Sequence, residues 1–260
     1  LSDYQEVAPY YAGLPALFEF AFWYRLKYAL NNNAGCYLAK DILNQQQAYA
    51  SFRNDYIEAT KLTNHDEYRT ASELGRSSDK CKLAAAILLT APGEPYIYYG
   101  EELGMYGEQT NGDEYVRAPM LWGDSYTTAY TDKIDKSAAS NTATVDKQLE
   151  DKNSLLNTYL TFTRLRNTYP ALAEGTMSKH PVYNDSNEKN YKSVAAWYMT
   201  KDNEKLLVIH NLGSSAVTLP LTENIEKAIA LLGKAQQSKS ATEFTVKLDK
   251  YSSVVYKLAE

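Results

Sequence analysis

Along the first 170 residues the spacing of hydrophobic positions changes repeatedly. Gly13–Phe22 (GLPALFEFAF) opens on turn residues and becomes an apolar, aromatic run, which predicts a buried strand. WYRLKYAL and KDILNQQQAYASFR then space their apolar residues at helical intervals, separated by the turn-rich NNNAG. Tyr56–Leu62 (YIEATKL) predicts a second strand. SSDKCKLAAAILLTAPG predicts a helix capped by Ser78 or Asp79 and stopped by Pro92 and Gly93. PYIYYGEELGM predicts a third strand that runs to Glu101 and Glu102. A polar stretch covers Tyr106 to about Asp146, and the run Ser137–Asp151 reads as a solvated loop. NSLLNTYLTFTRLRNTYPAL is a strongly periodic helix that stops near Pro170. Strand alternating with helix is the pattern of a parallel α/β fold.

Past Gly175 the texture changes. SVAAWYMT, KLLVIHNL, AVTLPL, TEFTVKL and SSVVYKL are short apolar runs broken by Asn, Gly, Asp and Ser, which predict an antiparallel all-β module, a sandwich. The boundary falls between residues 173 and 178, dividing the chain into 1–174 and 175–260. Charge follows the same division. Residues 1–170 carry 16 Lys and Arg against 22 Asp and Glu, residues 171–260 carry 11 against 10, and all seven arginines lie in the first part.

Composition narrows the function. A chain of 260 residues with 44% hydrophobic content can bury a sizeable core. A net charge of -5 offers no basic field for a phosphate backbone, so nucleic acid is not expected as a partner. Cys36 and Cys81 alone make neither a disulfide framework nor a zinc site. His180 and His210 lack metal-ligand spacing and receive no role. The sequence holds no apolar run long enough to span a membrane. The chain opens on Leu1, and the expectation is that it is cut from something longer. Its 23 tyrosines suit sugar rings, but they suit half-buried surfaces equally well.

The candidate chemistry sits just past the second strand, in TNHDEYR. Taken alone, His65 beside Asp66 is either part of an active site or a structural pair at a strand end. Asn64 is suited to holding the turn. Arg69 pairs either with a carboxylate of the site or with a surface partner at a helix start. Glu101 and Glu102, as neighbours on a strand, would point to opposite faces, so they are expected to serve structure rather than act as one acid–base pair. Tyr98 and Tyr99 are expected to pack in the fold rather than to stack on sugars.

Four stretches in this order resemble glycoside hydrolase family 13, the α-amylase family. TNHDEYR resembles the Asn-His-Asp signature after its seventh barrel strand. Gly93–Met105 (GEPYIYYGEELGM) is similar to its eighth-strand segment. Asp113–Trp122 (DEYVRAPMLW) resembles the D-x-x-x-R-x-P-M-x-W loop of its oligosaccharide-hydrolysing branch, and VAPYYAGLPALFEFAF is similar to the sixth-strand region of neopullulanase-like members. Any one of these is weak, but four in sequence are specific. The resemblance implies strands six to eight of a (β/α)8 TIM barrel followed by a β-sandwich domain. It implies an endo-acting retaining α-glucan hydrolase that cleaves α-1,4 links of starch through a covalent glycosyl-enzyme. It assigns Asp66 as the transition-state stabiliser and His65 as a substrate-binding residue.

The family's nucleophile and acid/base carboxylates precede the segment this chain resembles. The chain would then hold one of three catalytic carboxylates and be inactive alone. Calcium is implied for the complete protein, with ligands outside this segment. The implied partners are starch and maltooligosaccharides, the remainder of the same polypeptide and other cell-surface glycan-binding proteins. The implied location is extracellular or at the cell surface, anchored to the outer membrane. Arg117 is expected either to clamp a loop or to touch a distal glucose. Tyr28, Tyr37 and Asp41, with Tyr24, make either a surface glucan platform or an ordinary packed helix face, since residues four apart share a face. The alternative to an enzyme is a non-catalytic carbohydrate-binding or scaffold relative of the same fold.

Overall fold

The computed structural model describes residues 3–123, 141–184, 191–240 and 244–259. A short helix α1 (Tyr4–Val7) leads into three parallel strands, β1 (Ala16–Glu19), β2 (Ile57–Lys61) and β3 (Glu94–Tyr96), paired in that order. Ala16 through Glu19 pair with Ile57 through Thr60, and Ala59 through Lys61 pair with Glu94 through Tyr96. Helices α2 (Phe20–Asn32) and α3 (Leu38–Ala50) connect the first pair of strands. Helices α4 (Thr70–Glu73) and α5 (Ser78–Thr90) connect the second.

The strands differ from the sequence expectation for local reasons. β1 ends at Glu19 because its carboxylate caps the next helix, accepting from the Ala21 and Phe22 amides at 2.7 and 3.3 Å. Nor is β1 buried. Phe18 is 54% and Tyr96 49% exposed, their rings in edge contact at 5.0 Å, because no second layer covers that face of the sheet among the described residues. The helix α5 is capped by Ser77, whose hydroxyl accepts from the Lys80 amide at 3.3 Å, rather than by Ser78 or Asp79. β3 stops at Tyr96. Gly100, at φ 80°, turns the chain, and Glu101–Leu103 form a 3-10 turn instead of extending the strand.

Part of the run expected to be a solvated loop is a helix. α6 (Val145–Glu150) buries Gln148, whose amide donates to the Leu103 carbonyl at 2.9 Å. Residues 137–140 of that run lie outside the described residues. The periodic helix α7 (Leu155–Thr168) is capped by Ser154 and followed by α8 (Pro170–Glu174).

Eight antiparallel strands complete the chain: β4 (Thr176–Lys179), β5 (Val194–Lys201), β6 (Glu204–Asn211), β7 (Val217–Leu221), β8 (Ile225–Leu232), β9 (Ala235–Lys239), β10 (Phe244–Leu248) and β11 (Ser252–Leu258). They form a five-stranded sheet in the order β4-β5-β6-β11-β8 and a three-stranded sheet in the order β7-β10-β9. Between the sheets, Ala196, Leu207, Ile209, Val254 and Tyr256 meet Leu219, Leu221, Val246 and Leu248. The outer face of the larger sheet is not free. Trp197, Met199, Leu206, Val208 and Val255 belong to the same core as Leu83, Leu88 and Phe162 of the helical part. Burial on both faces explains why β5 and β6 read as continuous apolar runs.

The junction also uses polar contacts. Trp197 donates to the Thr90 carbonyl at 3.3 Å, and the Thr90 hydroxyl lies 3.2 Å from His210 Nε2. Gly35 comes so close to the β module that an added Cβ would lie 2.5 Å from the Ser193 carbonyl oxygen.

Candidate active site

The middle strand positions the site. β2 ends at Lys61, and the chain turns back at Asn64, whose side chain accepts from the Asp66 amide at 2.8 Å. This short polar turn lifts His65 and Asp66 above the carboxyl end of the sheet, where the loops of a barrel collect. Both side chains face solvent, at 61% and 60% exposed, with His65 Nε2 3.3 Å from Asp66 Oδ2.

Arg117 closes on the same turn from the loop after β3. Its Nη2 donates to Asp66 Oδ1 and to Asp113 Oδ2, both at 2.8 Å, and its Nε donates to the His65 carbonyl at 3.0 Å. Arg117 thus holds Asp66 through one oxygen and His65 lies beside the other, yet the carboxylate stays open to an incoming hydroxyl. An anionic acceptor with two oriented oxygens can bridge neighbouring hydroxyls of a sugar ring.

Behind the turn lies a buried polar shelf. The Thr63 and Thr70 hydroxyls are 3.1 Å apart, and Thr70 donates to Glu101 Oε2 at 3.0 Å while Tyr159 donates to Oε1 at 2.6 Å. Burial pushes the Glu101 carboxyl up to about 7, against the pull of those hydrogen bonds. Glu102 is half-buried, and burial raises its carboxyl as well. The two carboxylates occupy a 3-10 turn, not a strand, so the alternation expected of them does not apply.

Arg69 is neither paired to a site carboxylate nor part of a surface ion pair. It is 1% exposed, donates to the Tyr99 carbonyl at 2.8 Å, and lies 4.8 and 4.9 Å from the Tyr98 and Tyr99 rings. Burial lowers its guanidinium from the usual range. Its place at the start of α4 suggested exposure, but the two rings fold over it instead. Those tyrosines donate to the Val116 and Ala118 carbonyls at 3.1 and 2.8 Å, which ties down the loop that carries Arg117.

Tyr28, Tyr37 and Asp41 stand apart from this turn. With Tyr24, Arg25 and Leu38 they line a cavity of about 270 Å3 on the helical side. Tyr28 is 63% and Tyr37 44% exposed, and burial raises the Asp41 carboxyl although Arg25 sits 3.7 Å away. Larger cavities of about 380 and 570 Å3 lie elsewhere, the first around Arg76 and Gln148, the second between α7 and the β10–β11 turn. Asp66 lines none of these three, because the turn that holds it stands at the rim of an open sheet. Among the described residues no group of three or more His, Cys, Asp or Glu could hold a metal ion.

Two residues escaped the sequence reading. Lys61 is 3% exposed, and its ammonium lies 2.5 Å from Glu67 Oε2. The available signal was a lysine at the end of an otherwise buried strand.

Comparison with known proteins fits this geometry. Residues 13–175 match the family model described as alpha amylase, catalytic domain, and residues 194–255 match the alpha-amylase SusG C-terminal domain. The chain is 67% identical over 258 residues to alpha-amylase SusG of Bacteroides thetaiotaomicron, covering 99% of this chain and 37% of that protein. It is 30% identical to alpha-amylase 3 of Dictyoglomus thermophilum, covering 97% of this chain and 49% of that protein. Its fold superposes on the crystal structure of the alpha-amylase from H. orenii with a TM-score of 0.86 at 24% identity, over 99% of this chain and 52% of that one. The chain thus spans half or less of the length of the curated relatives it matches. Its fold is that of the C-terminal part of a (β/α)8 barrel followed by a β domain.

Proposed function

The chain belongs to the α-amylase catalytic-domain family, and from that premise we propose that it supplies the C-terminal part of an endo-acting retaining α-glucan hydrolase. In this reading residues 1–174 contribute strands six to eight of the barrel, and residues 175–260 form the C-terminal sandwich. Further strands of the same polypeptide close the barrel over the exposed Phe18 and Tyr96 face. The substrates are starch and maltooligosaccharides, cut at α-1,4 links. A polymer of this size does not cross a membrane, so the enzyme works outside the cell or on its surface.

Retaining hydrolysis needs a carboxylate nucleophile and a protonated carboxylic acid about 5 Å apart. Neither is assigned to this chain. The nucleophile attacks the anomeric carbon, the acid protonates the leaving oxygen, and water later releases the sugar. In the transition state of each step the ring flattens and its anomeric carbon becomes electron-poor. A fixed anion that grips two ring hydroxyls more tightly in that state lowers the barrier. Asp66 takes this task, His65 donates to one hydroxyl, and Arg117 orients the Asp66 carboxylate. The observation that carries the reading is the solvent-facing Asp66 carboxylate at the carboxyl end of β2, held by His65 and Arg117. Tyr28, Tyr37 and Asp41 form a second contact with α-glucan, two rings stacking on sugar faces beside one acceptor. Calcium, which the resemblance implies for the complete protein, is assigned no ligand in this chain.

The test is Asp66→Asn in the complete protein. Turnover of a chromogenic maltooligosaccharide is expected to fall about 100-fold or more while substrate still binds. Near-normal turnover refutes the role of Asp66. A wild-type protein that binds glucan without cleaving it makes the chain part of a carbohydrate-binding scaffold instead. Replacing Tyr28 and Tyr37 with Ala is expected to weaken binding to insoluble starch and spare turnover of short maltooligosaccharides. Unchanged starch binding removes the platform.

A further inference from the structure

The turn that carries Asp66 is held on a side that Arg117 does not reach. Lys61 ends β2 with its ammonium 3.9 Å from the centre of the Phe20 ring and 2.5 Å from Glu67 Oε2. Glu67 directly follows Asp66, and its other oxygen accepts from the Tyr24 hydroxyl at 3.3 Å. One carboxylate therefore joins the end of a barrel strand, helix α2 and the catalytic turn. The Lys61 side chain is 3% and that of Glu67 16% exposed.

A buried ion pair of this kind is a weak source of stability. Removing two charges from water costs about what their attraction returns, and apolar replacements of equal volume are often neutral. A clamp between Lys61 and Glu67 has a different effect, because it fixes where the intervening backbone, and so the Asp66 carboxylate, can sit. Displacing a reacting or stabilising group by about 1 Å costs up to 10²-fold in rate.

We propose that Lys61 and Glu67 are positioning residues for Asp66, acting as a strut opposite Arg117. The inference rests on the role given to Asp66 above. Neither residue touches the sugar. Lys61 pulls Glu67 toward the sheet, Tyr24 holds it against α2, and the Asn64–Asp66 turn keeps one height above the strand ends. Arg117 restrains the same turn from the loop side, so the carboxylate is fixed from two directions.

The experiment uses the complete protein with Lys61→Met, Glu67→Gln, the double variant and Lys61→Arg. Lys61→Met and Glu67→Gln are each expected to lower kcat on a chromogenic maltooligosaccharide about tenfold, with KM within about twofold. The double variant is expected to lose little more than either single one, because both break the same strut. Lys61→Arg keeps the charge opposite Glu67 and is expected to lose less activity than Lys61→Met. An inhibitor with a flattened, cationic ring is expected to weaken in parallel with kcat/KM, while binding of an unreactive maltooligosaccharide holds.

Retention of kcat within twofold in both single variants overturns the proposal. So does a loss that tracks only the folded fraction, or a Lys61→Arg variant as impaired as Lys61→Met. If Lys61→Met fails to fold, Glu67→Gln, which keeps the shape and neutralises the charge, decides by the same criteria. A collapse in Asp66→Asn with normal kcat in the strut variants removes the strut alone. Normal turnover in Asp66→Asn removes the reading beneath it.

Discussion

The two halves of this chain use their strands in opposite ways. In the β module, β5, β6 and β11 are covered on both faces, by the second sheet and by the helices of the first half. In the barrel segment β2 is buried from Glu58 to Lys61, but on the flanking strands Phe18 of β1 and Tyr96 of β3 stay half exposed. The first arrangement makes a scaffold, and the second leaves a sheet rim on which polar turns can meet a ligand. The titratable groups follow the same contrast. Burial pushes Glu58 and Glu101 of the barrel segment up to about 7. In the β module burial alone would raise Glu223, yet hydrogen bonds from His180 and Tyr198 hold it down to about 2, and burial lowers His210 to about 3.

The largest expected effect is a difference in local opening. Backbone amides of β5, β6 and β11 should exchange with solvent at least about 10³-fold more slowly than those of β1 in the chain of residues 1–260. Equal protection in both sheets would break the comparison.

Core truncation should separate the halves next. Trp197→Ala, at a fully buried position that donates to Thr90, is expected to cost about 3–5 kcal/mol in chemical denaturation. Phe18→Ala, half exposed in this chain, is expected to cost less than about 1 kcal/mol. In the complete protein the Phe18 cost should rise if further strands cover that face.

The pH dependence of stability should carry opposite signs. Glu58 and Glu101 bind protons more tightly when folded, so their contribution is complete below about pH 4.5 and is lost as pH rises through about 7. His210 and Glu223 bind protons less tightly when folded. Their contributions are complete above about pH 6.5 and 4.5 and are lost as pH falls through about 3 and 2. Glu58→Gln should flatten the loss between pH 5 and 7, read as melting temperature against pH. An unchanged slope would show that Glu58 is already ionised in the folded chain.

The smallest effect sharpens the account of the helices. Ser77→Ala removes the acceptor at the start of α5 and is expected to cost about 1 kcal/mol, whereas Ser78→Ala should cost less.

Much of this architecture was legible because its signals are local. The NHD turn follows a strand whose apolar run is short and clear, and the change of texture near Gly175 marks the passage from alternating elements to strands alone. What was misread depended on distant contacts. Arg69 reads as a partner for a carboxylate, either in the site or on the surface at a helix start, and only the fold places the Tyr98 and Tyr99 rings against it. PYIYYG reads as a long strand, but Gly100 turns the chain and leaves Glu101 buried in a 3-10 turn. β9 (AQQSK) is exposed along most of its length and has little hydrophobic signal, whereas β8 (IEKAIALL) has an apolar run missing from the expected strands. Lys61 stands out only as a lysine at the end of a buried strand, and its partner, Glu67, lies beyond that strand.

The central claim is that the Asp66 carboxylate grips the glucose ring as its bond breaks. The most direct measurement is a crystal structure of the complete protein bound to an oligosaccharide inhibitor with one flattened, cationic ring. The account predicts both Asp66 oxygens within hydrogen-bond distance of adjacent hydroxyls on that ring, with Arg117 still clasping the turn. A ring seated elsewhere, or an Asp66 carboxylate that touches only protein while the inhibitor is bound, would contradict it.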